Sequence, residues 1–226
     1  MSKEILIKGY VEKVNKNYNS LEYYFDDELK FLQPLNLAKY EVINCLMIEQ
    51  FNAAITLTNH MTERMLKLAL IEKTTHGLKI SEKDINELNK TITEASNLYD
   101  SEKMSQTIKL VYNEGLITEQ EKTYLDKVIR DKIRNSFSHA EMEKVNKGKK
   151  DQIELRSFKF TEVQKSINEG SPIPKKQIKV STKVPFLQSE IQKMKAEEIA
   201  FPYFKNIYKI AKNIDRRLDV KKEYYK

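Results

Sequence analysis

The sequence predicts a mainly α-helical bundle with a small inserted β-hairpin, and three observations carry that prediction. Apolar residues recur every three or four positions over most of the chain. The period shortens to two only between about 144 and 188. Gly and Pro, which punctuate turn-rich β folds, number 5 each in 226 residues. The length suits a single domain over 1–226 in which 144–188 is the hairpin insertion.

The strongest helical pattern follows Pro34. Ile43, Met47, Phe51, Ala54, Thr58, Met61, Met65 and Leu68 advance in helical steps, which predicts one long amphipathic helix over 41–73 with the methionines in the core. Before it, LEYYFDDELKFLQPL is aromatic on one side and acidic on the other, and reads as a helix ended by Pro34. Ser81, with Asp84 three positions on, offers an N-cap for a helix through about Leu98. SEKMSQTIKLVYNEG is a further helix, stopped where Gly115 supplies a left-handed C-terminal residue. Thr118 and Glu121 form a capping box, and Leu125, Val128, Ile129, Ile133 and Phe137 keep helical spacing as far as the histidine that ends the run.

The insertion then alternates. IELRSFKF and QIKVSTKV read as two strands, joined by a long tip containing Gly170, Pro172 and Pro174. Ser189 starts a final helix that Pro202 is expected to kink, and KKEYYK reads as a solvated basic tail.

Composition narrows the function classes. A hydrophobic fraction of 40% with 32% charged residues excludes collagen-like, disulfide-scaffold and disordered chains. Lys and Arg outnumber Asp and Glu by 40 to 33, a formal charge of +7, which favours an anionic partner. One cysteine, Cys45, cannot close an internal disulfide, and no apolar run approaches the ~20 residues of a membrane helix. Charges interrupt the first apolar stretch, which does not read as a signal peptide, so a cytoplasmic protein is expected. Neither phosphate-binding glycine loop nor Cys/His zinc cluster occurs, and no cofactor is expected.

The segment best suited to chemistry is Ile133-Arg134-Asn135-Ser136-Phe137-Ser138-His139-Ala140. Histidine titrates near neutral pH and Arg presents a fixed fork of donors to phosphate. Five residues at 100° each place Arg134 and His139 about 140° apart on an unbroken α-helix, so the site needs a distorted helix, a wrapping Arg or a second copy. Arg130 lies one turn before Arg134. Plainer readings stay open: Arg130 paired with Asp126, Arg134 with Asp131, His139 at a helix C-terminus, Glu63 and Ser138 as solvated groups, and the hairpin lysines as protection of a sheet edge.

GLITEQEKTYLDKVIRDKIRNSFSHA resembles the HEPN family (higher eukaryotes and prokaryotes nucleotide-binding domains), whose motif is R-x(4 to 6)-H with a polar residue after the Arg. Arg134, Asn135 and His139 stand at those positions. The resemblance extends more loosely to TNHMTERMLKLAL, where Glu63 falls at a position often polar in the family, and to AFPYFKNIYKIAKNIDRRL. It implies a helical bundle, usually dimeric. The activity it implies is metal-independent endoribonuclease, in toxin or phage-defence settings, or RNA, nucleotide or protein binding by a catalytically inactive relative. Arg134, His139 and Asn135 would then be catalytic, and Arg130, Ser138 and Glu63 would bind substrate. Members controlled by a nucleotidyltransferase antitoxin carry Tyr two residues after the His; Glu141 stands there, which points to another protein regulator or to none.

Overall fold

In the computed structural model, the described residues are 2–75, 85–134, 137, 152–157, 165–166, 168–172, 176–181 and 184–220. Within them the protein is mainly helical, with one two-stranded antiparallel sheet. The helices are α1 (Lys3–Asp26), α2 (Leu35–Met47), α3 (Phe51–Thr75), α4 (Ile85–Asp100), α5 (Met104–Asn113), α6 (Glu119–Thr123) and α7 (Pro185–Val220). From Tyr124 to Arg134 the helix begun by α6 continues in the wider π form.

α3 is the central helix. It packs against α2, α4, α5 and α7. Ala54, Met61, Met65, Leu66 and Ala69 are buried on it, as the sequence pattern requires, against Phe204, Ile207, Ala211 and Ile214 of α7. Burying such aliphatic and aromatic side chains, each contributing roughly 1.5–3 kcal/mol, is the main source of stability.

The expected helix over 41–73 is in fact two, broken at 48–50. Glu49 has φ 62°, its N–H donates to Leu46 O at 3.2 Å, and the Gln50 N–H donates to Cys45 O at 2.7 Å. This is a Schellman stop with glutamate in the left-handed position that glycine usually takes. Lys16 Nζ at 2.6 Å and Lys13 Nζ at 3.7 Å hold the Glu49 carboxylate against α1, and that tertiary contact offsets a local penalty of about 1–2 kcal/mol. Gly115 makes the same stop after α5, with φ 66° and a Leu116 N–H to Val111 O bond of 3.0 Å.

Two helix boundaries also depart from expectation. α1 ends at Asp26, eight residues before Pro34, and Pro34 is instead the N-cap of α2, where a missing N–H costs nothing. The intervening backbone is satisfied from afar. Asp215 of α7 accepts the N–H groups of Lys30, Phe31 and Leu32 at 3.1, 2.8 and 2.9 Å, and Asn36 Oδ1 accepts that of Leu29 at 3.1 Å. α7 starts at Pro185, four residues before Ser189, and runs through Pro202 as one helix. The Ser81 cap and the basic tail lie outside the described residues.

The strands are β1 (Gln152–Ser157) and β2 (Lys176–Ser181), paired antiparallel with Ile153 opposite Val180 and Leu155 opposite Ile178. This is the expected hairpin, with Phe158, Phe160 and the outer lysines outside the described residues. No helix among the described residues is long and apolar enough to cross a membrane.

Candidate functional site

The helix that carries the candidate motif is fixed at its start. Thr118 Oγ1 accepts the Glu121 N–H at 3.2 Å and Glu121 Oε2 accepts the Thr118 N–H at 2.7 Å, the expected capping box. Leu125 and Ile129 are fully buried, and Val128, Ile133 and Phe137 pack at the core edge. The charged face is thereby turned outward.

On that face Arg130 is engaged by its own helix. Its Nη1 lies 2.7 Å from Asp126 Oδ1 and its Nη2 3.0 Å from Asp131 Oδ1, the plainer of the two readings for this residue. Arg134 behaves differently: its Nε lies 2.6 Å from Oε1 of Glu63, which projects from α3. The two side chains retain 34% and 33% of their exposure, so the pair is reachable from solvent.

The π form changes the spacing argument. Its i→i+5 bonds bring residues five apart closer to one line than α-helical geometry does, but it ends at Arg134, before the steps that lead to His139. His139, Asn135 and Ser138 lie outside the described residues. The structure therefore brings together Glu63 and Arg134 of the expected set and engages Arg130 with Asp126 and Asp131 instead.

Behind the pair is a buried hydrogen-bond chain. Tyr203 of α7, 1% exposed, donates to Asn59 Oδ1 at 2.7 Å and stands 3.4 Å from Thr62 Oγ1, whose hydroxyl donates to Thr58 O at 2.7 Å. Burial pushes the Tyr203 phenol far above its ordinary range, and the charges of Glu63 and Arg134 reach it. It is a locked neutral donor that fixes α3 against α7 directly behind Glu63.

A cleft of about 440 Å³ that the sequence reading missed lies beside the same helix, lined by Thr118, Gln120, Glu121, Tyr124, Asn206, Lys209, Ile210, Asn213 and Arg217. Asn206 Nδ2 donates to Tyr124 Oη at 3.1 Å, Asn213 Nδ2 to Glu121 Oε1 at 2.8 Å, and Arg217 Nη1 to Glu121 Oε2 at 2.8 Å. Burial pushes the Glu121 carboxyl up, but the Thr118 N–H, Asn213 and Arg217 together hold it below the usual carboxylate range. The signal that could have located this cleft is the polar stripe Asn206, Asn213, Arg217 at helical spacing on α7, where an apolar stripe would mark the core.

Among the described residues no group of three or more metal-binding side chains converges. No protein-family model, no curated protein and no solved structure matches the chain.

Proposed function

We propose that this protein is a metal-independent endoribonuclease of the HEPN type, acting on RNA as a homodimer in a toxin or phage-defence setting. The observation that carries the reading is the Arg134 guanidinium of the R-x4-H segment. Glu63 holds its Nε at 2.6 Å, and the side chain keeps about a third of its exposure, so the guanidinium is reachable from solvent. A bidentate donor oriented in this way suits a phosphate oxygen pair.

The chemistry follows from the residue types. His139 takes the proton of a ribose 2′-OH, the 2′-oxygen attacks the adjacent phosphorus as its bond to the 5′-oxygen breaks, and the leaving 5′-oxygen takes a proton from solvent, to which His139 returns its own. The products are a 2′,3′-cyclic phosphate and a 5′-OH. Arg134 stabilises the charge that builds on the phosphoryl oxygens, and Asn135 positions phosphate or imidazole. Arg130 and Ser138 would bind substrate. A protein regulator would act by covering this face.

A second reading, a catalytically inactive helical module that binds RNA, nucleotide or a protein partner, is favoured by one observation. Glu63 already neutralises Arg134, and two aspartates neutralise Arg130. The test is cleavage of a mixed RNA pool in excess EDTA by the wild-type protein and His139→Ala, with analysis of product ends. Cyclic-phosphate ends that vanish in the variant support the nuclease. RNA retention without cleavage by either protein selects the binding module.

A further inference from the structure

The cleft between α6 and the C-terminal half of α7 has the features of a site for a planar, hydrogen-bonding ring with an anionic substituent. Its volume of about 440 Å³ falls in the range of small-ligand sites. Tyr124 and Ile210 supply apolar surface, and Gln120, Asn206 and Asn213 supply amides. Lys209 supplies a cation at the exposed rim and has no partner among the described residues. The one carboxylate, Glu121, is already matched by Arg217, by Asn213 and by the Thr118 N–H, so it presents no unbalanced charge to an anion.

One amide is oriented by its neighbour. An ionised carboxylate only accepts hydrogen bonds, so the Asn213 group facing Glu121 Oε1 at 2.8 Å has to be its NH2. Its Oδ1 is left as an acceptor that asks for a donor. Tyr124 also lines a second, shallow depression of about 410 Å³ together with Gln120, Lys127 and Val128, so it has open space on more than one side and a second lysine nearby.

We propose that this cleft is a base-binding subsite for single-stranded RNA. Tyr124 stacks on one unpaired base, Asn213 Oδ1 accepts from its exocyclic amino group, and Lys209 meets the adjoining phosphate. Aromatic stacking with a basic rim is how sequence-tolerant single-strand sites hold RNA, and the fixed acceptor adds a preference for cytosine over uracil. Tyr124 opens the π-helical segment that Arg134 closes, so the subsite and the Arg134–Glu63 pair lie on one helix, at most about 15 Å apart along its axis. As a substrate site the inference rests on the ribonuclease reading; as an RNA-binding site it does not.

The probe is a pair of fluorescent 2′-O-methyl oligonucleotides, oligo(C) and oligo(U), which lack the attacking hydroxyl and stay intact in EDTA. Their binding is followed by anisotropy with the wild-type protein, Tyr124→Leu, Tyr124→Phe, Asn213→Ala and Lys209→Glu, and each variant is checked for fold by circular dichroism. The wild type should bind oligo(C) more tightly. Tyr124→Leu and Lys209→Glu should each weaken binding about tenfold, and Tyr124→Phe should retain it. Asn213→Ala should erase the preference for cytosine. If Tyr124→Leu does not fold, exposed Lys209 carries the test.

No binding by the wild type, equal affinity for the two oligomers, or wild-type affinity in Lys209→Glu overturns the subsite. The ribonuclease reading is judged separately with unmodified RNA. Cleavage that depends on His139 but not on Tyr124, Asn213 or Lys209 overturns the subsite and spares the enzyme. Binding that depends on these residues without any cleavage does the reverse.

Discussion

Arg134 of the π-helical segment and Glu63 of α3 meet at 2.6 Å, 71 positions apart in the chain and with each side chain about a third exposed. Half-open ion pairs of this kind contribute at most about 1 kcal/mol to stability. Glu63→Gln should therefore barely move the urea midpoint. If the protein cleaves RNA as proposed, its effect falls on that activity: with the fork's charge intact and only its orientation loosened, kcat should fall about tenfold. Arg134→Ala, which removes the charge proposed to face the phosphate, should cost about 100- to 1000-fold. Arg134→Lys should not restore it, since a point charge cannot make two parallel bonds. Equal losses in Glu63→Gln and Arg134→Ala, measured on one RNA under single-turnover conditions, would contradict the division of roles.

Glu49 and Gly115 occupy the same left-handed position in two helix stops, and substitution should move stability in opposite directions. Nothing lies within 4 Å of a Cβ built on Gly115, so Gly115→Ala meets backbone strain alone and should cost about 1 kcal/mol. Glu49→Gly relieves that strain and loses the contacts of the carboxylate to Lys13, Lys16 and Asn17 on α1. It should be neutral or stabilising by up to about 1 kcal/mol. Urea denaturation of the two variants checks both signs.

The same pair explains what the sequence could reveal. Gly115 announces its stop because glycine is the residue that a left-handed C-cap selects, and the capping box at Thr118 announces the next start. The break at Glu49 is hidden: the apolar spacing runs through it, and the lysines that stabilise it sit more than 30 residues away on α1. Arg134 stood out by motif, but its meeting with Glu63 depends on how α3 packs beside the π-helical segment. The cleft at Tyr124 was invisible for the same reason, since its two walls come from helices about 85 residues apart.

Asp215 is the longest-range example. Its carboxylate accepts three successive N–H groups, from Lys30, Phe31 and Leu32, and is 6% exposed. Asparagine there would turn an NH2 toward a backbone donor and remove the charge that strengthens the rest. Asp215→Asn should destabilise the fold by about 2–4 kcal/mol, read as a drop in urea midpoint, with faster amide exchange at Lys30–Leu32. A loss below about 1 kcal/mol would show that this connection satisfies its backbone by other means.

Glu121 makes stability depend on acid. Because its folded pKa is lowered, the protonated form is favoured by unfolding. Its contribution is fully present above the unfolded glutamate value of about 4.3 and is lost as pH falls through the lower folded value. Glu121→Gln should flatten the stability profile below pH ~4.3 relative to wild type. An unchanged acid slope in urea titrations between pH 3 and 5 would sink the assignment.

Lys39 tests the opposite limit, a lysine with no exposed surface. Its Nζ donates to Asp27 O at 2.7 Å and lies 4.5 Å from the Tyr40 ring centroid. Burial pushes its ammonium below the ordinary lysine value. A lowered folded pKa means that the neutral form suits the native state, so stability should gain as pH climbs through that value toward the unfolded one of about 10.4. Asp27 O also accepts from Tyr208 Oη at 2.5 Å, so removal of the ammonium leaves that carbonyl bonded. Lys39→Met, which keeps the buried chain and discards the charge, should change stability by no more than about 1 kcal/mol at neutral pH and should abolish the alkaline gain. Lys39→Ala leaves a cavity in its place and should cost about 2–4 kcal/mol. If the methionine variant were as unstable as the alanine one, the ammonium rather than its packed stem would be holding α1 to α2.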